Sequence, residues 1–158
     1  MITRFARTVP PPEVSGGYAA FRPYVRADFR QCCAYCCLHE FWLGGVGNFE
    51  LDHYRPVSHF PHLRRDFYNL RYACHLCNLT KSDYWPSQEL ESAGIGLVDL
   101  TADAYDNHFY LEDHGTLQPM TDSAKVTIAL LRLNSAHLRQ LRSFILRNQW
   151  ELDSSPIL

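Results

Sequence analysis

No stretch of the sequence approaches the roughly 18 consecutive apolar residues of a membrane span, which argues against a membrane-spanning helix. The N-terminal segment MITRFARTVPPPEVSGG lacks the apolar run of a secretory signal, so no export is expected and a cytoplasmic location is inferred. There is no internal repeat and no low-complexity tract. A strong charge of either sign is also missing: the formal net charge is −2 over 158 residues. Six cysteines in a non-secreted chain are explained more readily by metal binding than by disulfides.

What is present suits one globular unit. Hydrophobic residues make up 46% and charged residues 20%, enough apolar material to form a core. The near-neutral total hides a partition. From Asp83 to Asp113 there are eight acids and no Lys or Arg. From Ser123 to Trp150 there are five bases (Lys125, Arg132, Arg139, Arg142 and Arg147) and no acid. Arg4, Arg7, Arg22, Arg26 and Arg30 crowd the first 31 residues. Basic ends around an acidic belt predict a positive face that would suit a nucleic acid; the plainer reading is a set of solvated helix faces.

Punctuation divides the chain into three stretches. Residues 1–17, with Pro10-Pro11-Pro12 and Gly16-Gly17, read as a flexible arm. Residues 18–83 read as the core, and residues 84–158 as an acidic linker followed by a basic helical extension of the same compact unit. Within the core, Tyr18 to Phe29 fits a short amphipathic helix broken or started near Pro23. Phe49 to Tyr54 alternates apolar and polar residues, as a short strand does, and Pro56 ends it. Asn69 to Leu79 leads into a short helix. Phe109-Tyr110-Leu111 with Thr116-Leu117 suggests a small hairpin. Val126, Leu130, Leu133, Leu138, Leu141 and Ile145 recur at helical spacing, with Asn134-Ser135 as the cap of a second helix.

The cysteines carry the sharpest local signal. Cys33 with Cys36 and Cys74 with Cys77 form two C-x-x-C pairs. Two such pairs close a tetrahedral thiolate shell around zinc. A closed shell has no open position, so the expected zinc is structural. Four buried, unliganded thiols are the bland alternative. Thirty-seven residues separate Cys36 from Cys74, room for a second site inside the loop. Cys32 and Cys37 read as packing thiols, and a shifted pair using one of them stays open.

Inside that loop stands Leu51-Asp52-His53-Tyr54-Arg55-Pro56, then Asn69-Leu70, then Cys77-Asn78-Leu79-Thr80-Lys81. Asp52-His53 alone would read as an ordinary strand end. The ordered set, from C-x-x-C through D-H, N-L and C-x-x-C-N-x-x-K, resembles the HNH endonuclease family over about residues 30–83. The resemblance implies an α+β fold: a ββα-metal core, a zinc knuckle and added C-terminal helices. It implies His53 as general base, Asp52 and Asn78 as ligands of a catalytic divalent ion, and Asn69 as the residue that fixes the loop and orients His53. Lys81 and Arg55 become candidate phosphate contacts.

The chemistry needs these residue types. An imidazole titrating near 6.5 can take a proton from water near neutral pH. Hard ions such as magnesium or manganese prefer oxygen ligands. The third letter of the family name is Asn78 here, not histidine, which favours such an ion. The expected substrate is DNA, contacted nonspecifically, because no recognition-helix signature is present. A zinc-stabilised module that binds nucleic acid or protein without cutting is the alternative. His59, His62 and His75 are expected to face solvent or pack locally, and His108, His114 and His137 to be structural. The tail, from Phe109-Tyr110-Leu111 to Arg142, resembles that of a bacterial subgroup found beside ATPases in phage defence. This implies a nuclease subunit with a protein partner.

Overall fold

The computed structural model describes residues 4–155. After Gly17 the chain makes a 3-10 turn (Tyr18–Phe21) that runs into helix α1 (Arg22–Asp28). Pro23 lies in the first turn of α1, where its missing N–H removes no helical bond. Phe21, Val25 and Phe29 bury one stripe, as the amphipathic spacing predicts. Arg30 and Gln31 then take positive φ and turn the chain into the first cysteine knuckle.

Strand β1 (Phe49–His53) pairs antiparallel with strand β2 (Leu70–Cys74), Asp52 opposite Arg71 and His53 opposite Leu70. Helix α2 (His75–Lys81) starts on the residue after β2 ends. These three elements form the expected ββα unit. Phe49 and Tyr72 stack at 4.7 Å beneath it, joined to a core that includes Phe29, Leu38 and Leu70.

The second half adds helix α3 (Gln88–Ser92), strands β3 (Phe109–Leu111) and β4 (Leu117–Pro119) as a second antiparallel hairpin, and helices α4 (Asp122–Leu130) and α5 (Ala136–Arg147). Thr121 caps α4 by accepting from the Ala124 N–H. Ser135 stands at the predicted cap position of α5 but makes no side-chain capping bond. Asn134 reaches backwards instead, bonding both the N–H (2.9 Å) and the carbonyl (2.8 Å) of Leu117. Gly115 permits the close seating of the hairpin turn on α5. Its φ is +87°, and a Cβ there would fall 2.3 Å from the Arg139 carbonyl oxygen.

Two expectations from the sequence change. The N-terminal arm is seated at residues 5–8, and Met1–Thr3 lie outside the described residues. Phe5 is fully buried and its N–H bonds the Leu100 carbonyl. Arg7 bonds Asp28 and the carbonyls of Leu70 (2.6 Å) and Phe67 (2.7 Å). The basic face is also thinner than the count of bases suggests. Arg142 is 1% exposed and bonds the carbonyls of Gly115 and Leu133. Arg71 is buried against Asp99, and Arg26 pairs with Glu40. These arginines are committed to the fold, because a guanidinium drawn out of water needs acceptors, which backbone carbonyls and carboxylates supply.

Candidate active site

The cysteine shell sits at the base of the hairpin. One sulfur each from Cys33, Cys36, Cys74 and Cys77 lies within 4.8 Å of the other three, and all four residues are buried. Sulfurs about 2.3 Å from a tetrahedral zinc stand about 3.8 Å apart, so the cluster fits that ion. Burial pushes the Cys33 thiol up, but hydrogen bonds from Cys36, Cys74 and Cys77 outweigh it and hold this sulfur well below the ordinary range. Cys32 and Cys37 stay outside the shell. Burial raises both thiols, and Cys32 Sγ donates to the carbonyls of Arg30 (3.3 Å) and Asp153 (3.5 Å).

Above the shell, β1 and α2 set the polar residues. Strand alternation puts Glu50 and Asp52 on one face, and α2 crosses that face. His75 Nδ1 lies 2.9 Å from Glu50 Oε1, and Asn78 Nδ2 donates to Glu50 Oε2. A carboxylate can only accept, so the Asn78 amide nitrogen must face it and the amide oxygen is turned away. Hydrogen bonding from His75, and then from Asn78, holds the Glu50 carboxyl below its usual range although burial opposes it. One turn on, Lys81 Nζ donates to Asp52 Oδ1 (3.1 Å) and to the His53 carbonyl (2.8 Å). Tyr35 donates its hydroxyl to Asp52 Oδ2. Burial pushes Asp52 up and Lys81 down, in each case beyond what their mutual attraction restores.

His53 ends β1. Its ring stands edge-on to Tyr18 at 4.7 Å, and Nε2 lies 2.9 Å from the Arg64 carbonyl oxygen. That carbonyl belongs to the 54–69 loop, which Asn69 staples. Asn69 accepts from the Arg55 N–H (2.8 Å) and donates to the Arg55 carbonyl (3.0 Å), and Asn69 itself is 5% exposed.

Asp52, His53 and Asn78 line one cavity of about 380 Å³. Leu51 and Asn78 also line a second cavity, of about 340 Å³, with Tyr18, Arg22 and Glu50. The residues singled out in the sequence at positions 52, 53 and 78 therefore meet. Residues 33–84 match the family model for HNH endonucleases. No curated protein matches the chain. The HNH segment is about a third of the chain and contains both C-x-x-C pairs, the β1–β2 hairpin and α2. Over those residues the chain is similar to HNH endonucleases.

The two expected phosphate contacts do not open onto the site. The Lys81 side chain is 0% exposed and bonded to Asp52 and the His53 carbonyl, so no strand can reach it. Arg55 is exposed, but its guanidinium lies over the rings of Phe60 (5.5 Å) and Trp85 (5.2 Å) and lines cavities that do not include His53. Arg22 is the guanidinium that borders the Glu50–Asn78 cavity, held there by the carbonyls of Phe49 (2.6 Å) and Val46 (3.0 Å).

Sequence reasoning passed over Glu50, Tyr35, Tyr18 and Arg22. Strand alternation could have found Glu50, two residues before Asp52. Tyr35 stands inside C-x-x-C, where only the cysteines drew notice. Arg22 and Tyr18 join the site from an element distant in sequence, with no local signal. Among the described residues no helix is long and apolar enough to cross a membrane.

Proposed function

We propose that this protein is a metal-dependent nuclease that hydrolyses DNA phosphodiester bonds with His53 as general base. The orientation of His53 carries the reading. A carbonyl accepts only, so in the neutral ring the proton sits on Nε2, facing Arg64, and Nδ1 keeps the lone pair. A water held at Nδ1 can give up a proton there as it attacks phosphorus. Asn69 supports that orientation by fixing the loop that carries the Arg64 carbonyl.

Asp52 and the amide oxygen of Asn78 are the groups that would hold magnesium or manganese, an oxygen donor set that suits a hard ion. Such an ion, when bound, polarises the phosphate and stabilises charge on the leaving 3′-oxygen. The products would then carry 5′-phosphate and 3′-hydroxyl ends. Arg22 takes the phosphate-binding part first assigned to Lys81. Its loss in Arg22→Ala is expected to weaken DNA binding uniformly across sequences. It should also lower the slope of log affinity against log salt by about one, as measured by fluorescence anisotropy at several ionic strengths. An unchanged slope would remove Arg22 from the interface.

The purified chain, zinc-loaded, should nick or linearise plasmid with magnesium or manganese and do nothing with EDTA. A second reading is a zinc-stabilised binding module. It is favoured by the pairing of Asp52 with Lys81 and Tyr35, which already satisfies one lone pair on each carboxylate oxygen. DNA binding without cleavage under either ion would select it.

A further inference from the structure

Tyr35 and Lys81 reach Asp52 from opposite halves of the cysteine cluster. Tyr35 lies between Cys33 and Cys36, is 3% exposed, and donates to Asp52 Oδ2. Lys81 lies four residues beyond Cys77 on α2 and donates to Asp52 Oδ1 at 3.1 Å. The two segments that the four sulfurs join therefore end on the same carboxylate, one on each oxygen. Neither donor has a free rotamer to give up: the Lys81 side chain is 0% exposed and Tyr35 is enclosed by the core. The zinc-ligand scaffold and the Asp52 carboxylate are thus joined directly by hydrogen bonds.

The two contacts differ in charge. A phenol hydroxyl fixes the carboxylate in place and adds no net charge. An ammonium fixes it too, but it is a cation beside a site meant for another cation.

We propose that Tyr35 and Lys81 are positioning residues through which the four-cysteine cluster governs divalent-ion binding at Asp52, Tyr35 by aiming the carboxylate and Lys81 by competing for it. The proposal rests on the reading that Asp52 is a ligand of that ion. Residues that orient a metal ligand typically change affinity 10- to 100-fold when lost.

The test is manganese affinity of the full, zinc-loaded chain without DNA at pH 8, read from the EPR signal of free manganese, with zinc content measured for each variant. Tyr35→Phe is expected to weaken binding about tenfold with zinc retained. Lys81→Met keeps the buried stem, removes the competing charge and is expected to tighten binding. Asp52→Asn should remove most of the affinity, and Tyr35→Phe should have no further effect in that background. General loosening of the fold would move both variants in the same direction, and that result overturns the proposal. So does unchanged affinity in Tyr35→Phe. If Asp52→Asn itself binds manganese as wild type does, the ligand assignment fails and the proposal falls with it. If Asp52→Asn loses the ion while Tyr35→Phe does not, the assignment stands and the proposal alone is lost.

Discussion

His53→Ala is expected to cut plasmid cleavage by about 10²- to 10⁴-fold, the range a positioned general base supplies. Zinc content and DNA affinity should stay at wild-type levels. The physical ground is the division of labour around the ring. Its Nε2 is committed to the Arg64 carbonyl, its edge to Tyr18, and only Nδ1 is left for a proton. Alanine removes the base and leaves the loop staple at Asn69 untouched, because Asn69 bonds Arg55 and not the imidazole. The folding cost should therefore be small, and melting temperature is the control. The assay is single-turnover nicking of supercoiled plasmid with manganese. Equal rates for the variant and the wild type would reject His53 as the base, and the family match would then describe ancestry of the fold and not chemistry.

Cys77→Ser is expected to have the larger structural effect, with loss of cooperative unfolding altogether. Structural zinc in small finger peptides is worth roughly 10–16 kcal/mol of apparent binding energy at neutral pH, as much as the whole stability of a typical domain. Here the four sulfurs join the knuckle at 33–36 to the β2–α2 junction. Asn78 and Lys81, the helix residues of the candidate site, follow directly from that junction. One zinc per chain by elemental analysis is the expected content. Calorimetry of the wild type should show a single transition that collapses when a strong chelator is added. A zinc-free protein that melts at the same temperature would show that four buried thiols pack well enough alone.

Much of the site was legible because its parts are local in sequence. The D-H pair lies on one strand, Asn78 one residue past a cysteine, and Asn69 just before β2. Period-two alternation was enough to place β1, and the apolar periodicity to place α4 and α5. What escaped depends on burial. Lys81 and Arg142 read as exposed cations, since lysine and arginine are almost never fully buried unless paired. Their partners, Asp52 for one and the carbonyls of Gly115 and Leu133 for the other, lie 29, 27 and 9 residues away. Spacing alone does not report such contacts. The same holds for the N-terminal arm: triple proline predicts looseness, but Phe5 and Arg7 find a buried slot and buried acceptors between α1 and β2. The tail, compared at first with a defence-associated subgroup, has an architectural reading too. Asn134 and Arg142 stitch the second hairpin to α5.

Strand β2 ends at Cys74 and α2 begins at His75, with no residue between them. A single inserted amino acid there would turn the helix by about 100° about its own axis. That rotation would swing Asn78 and Lys81 off the strand together and break the thiolate cage in the same stroke. Natural drift and protein engineering alike should find length changes lethal at that hinge-less joint.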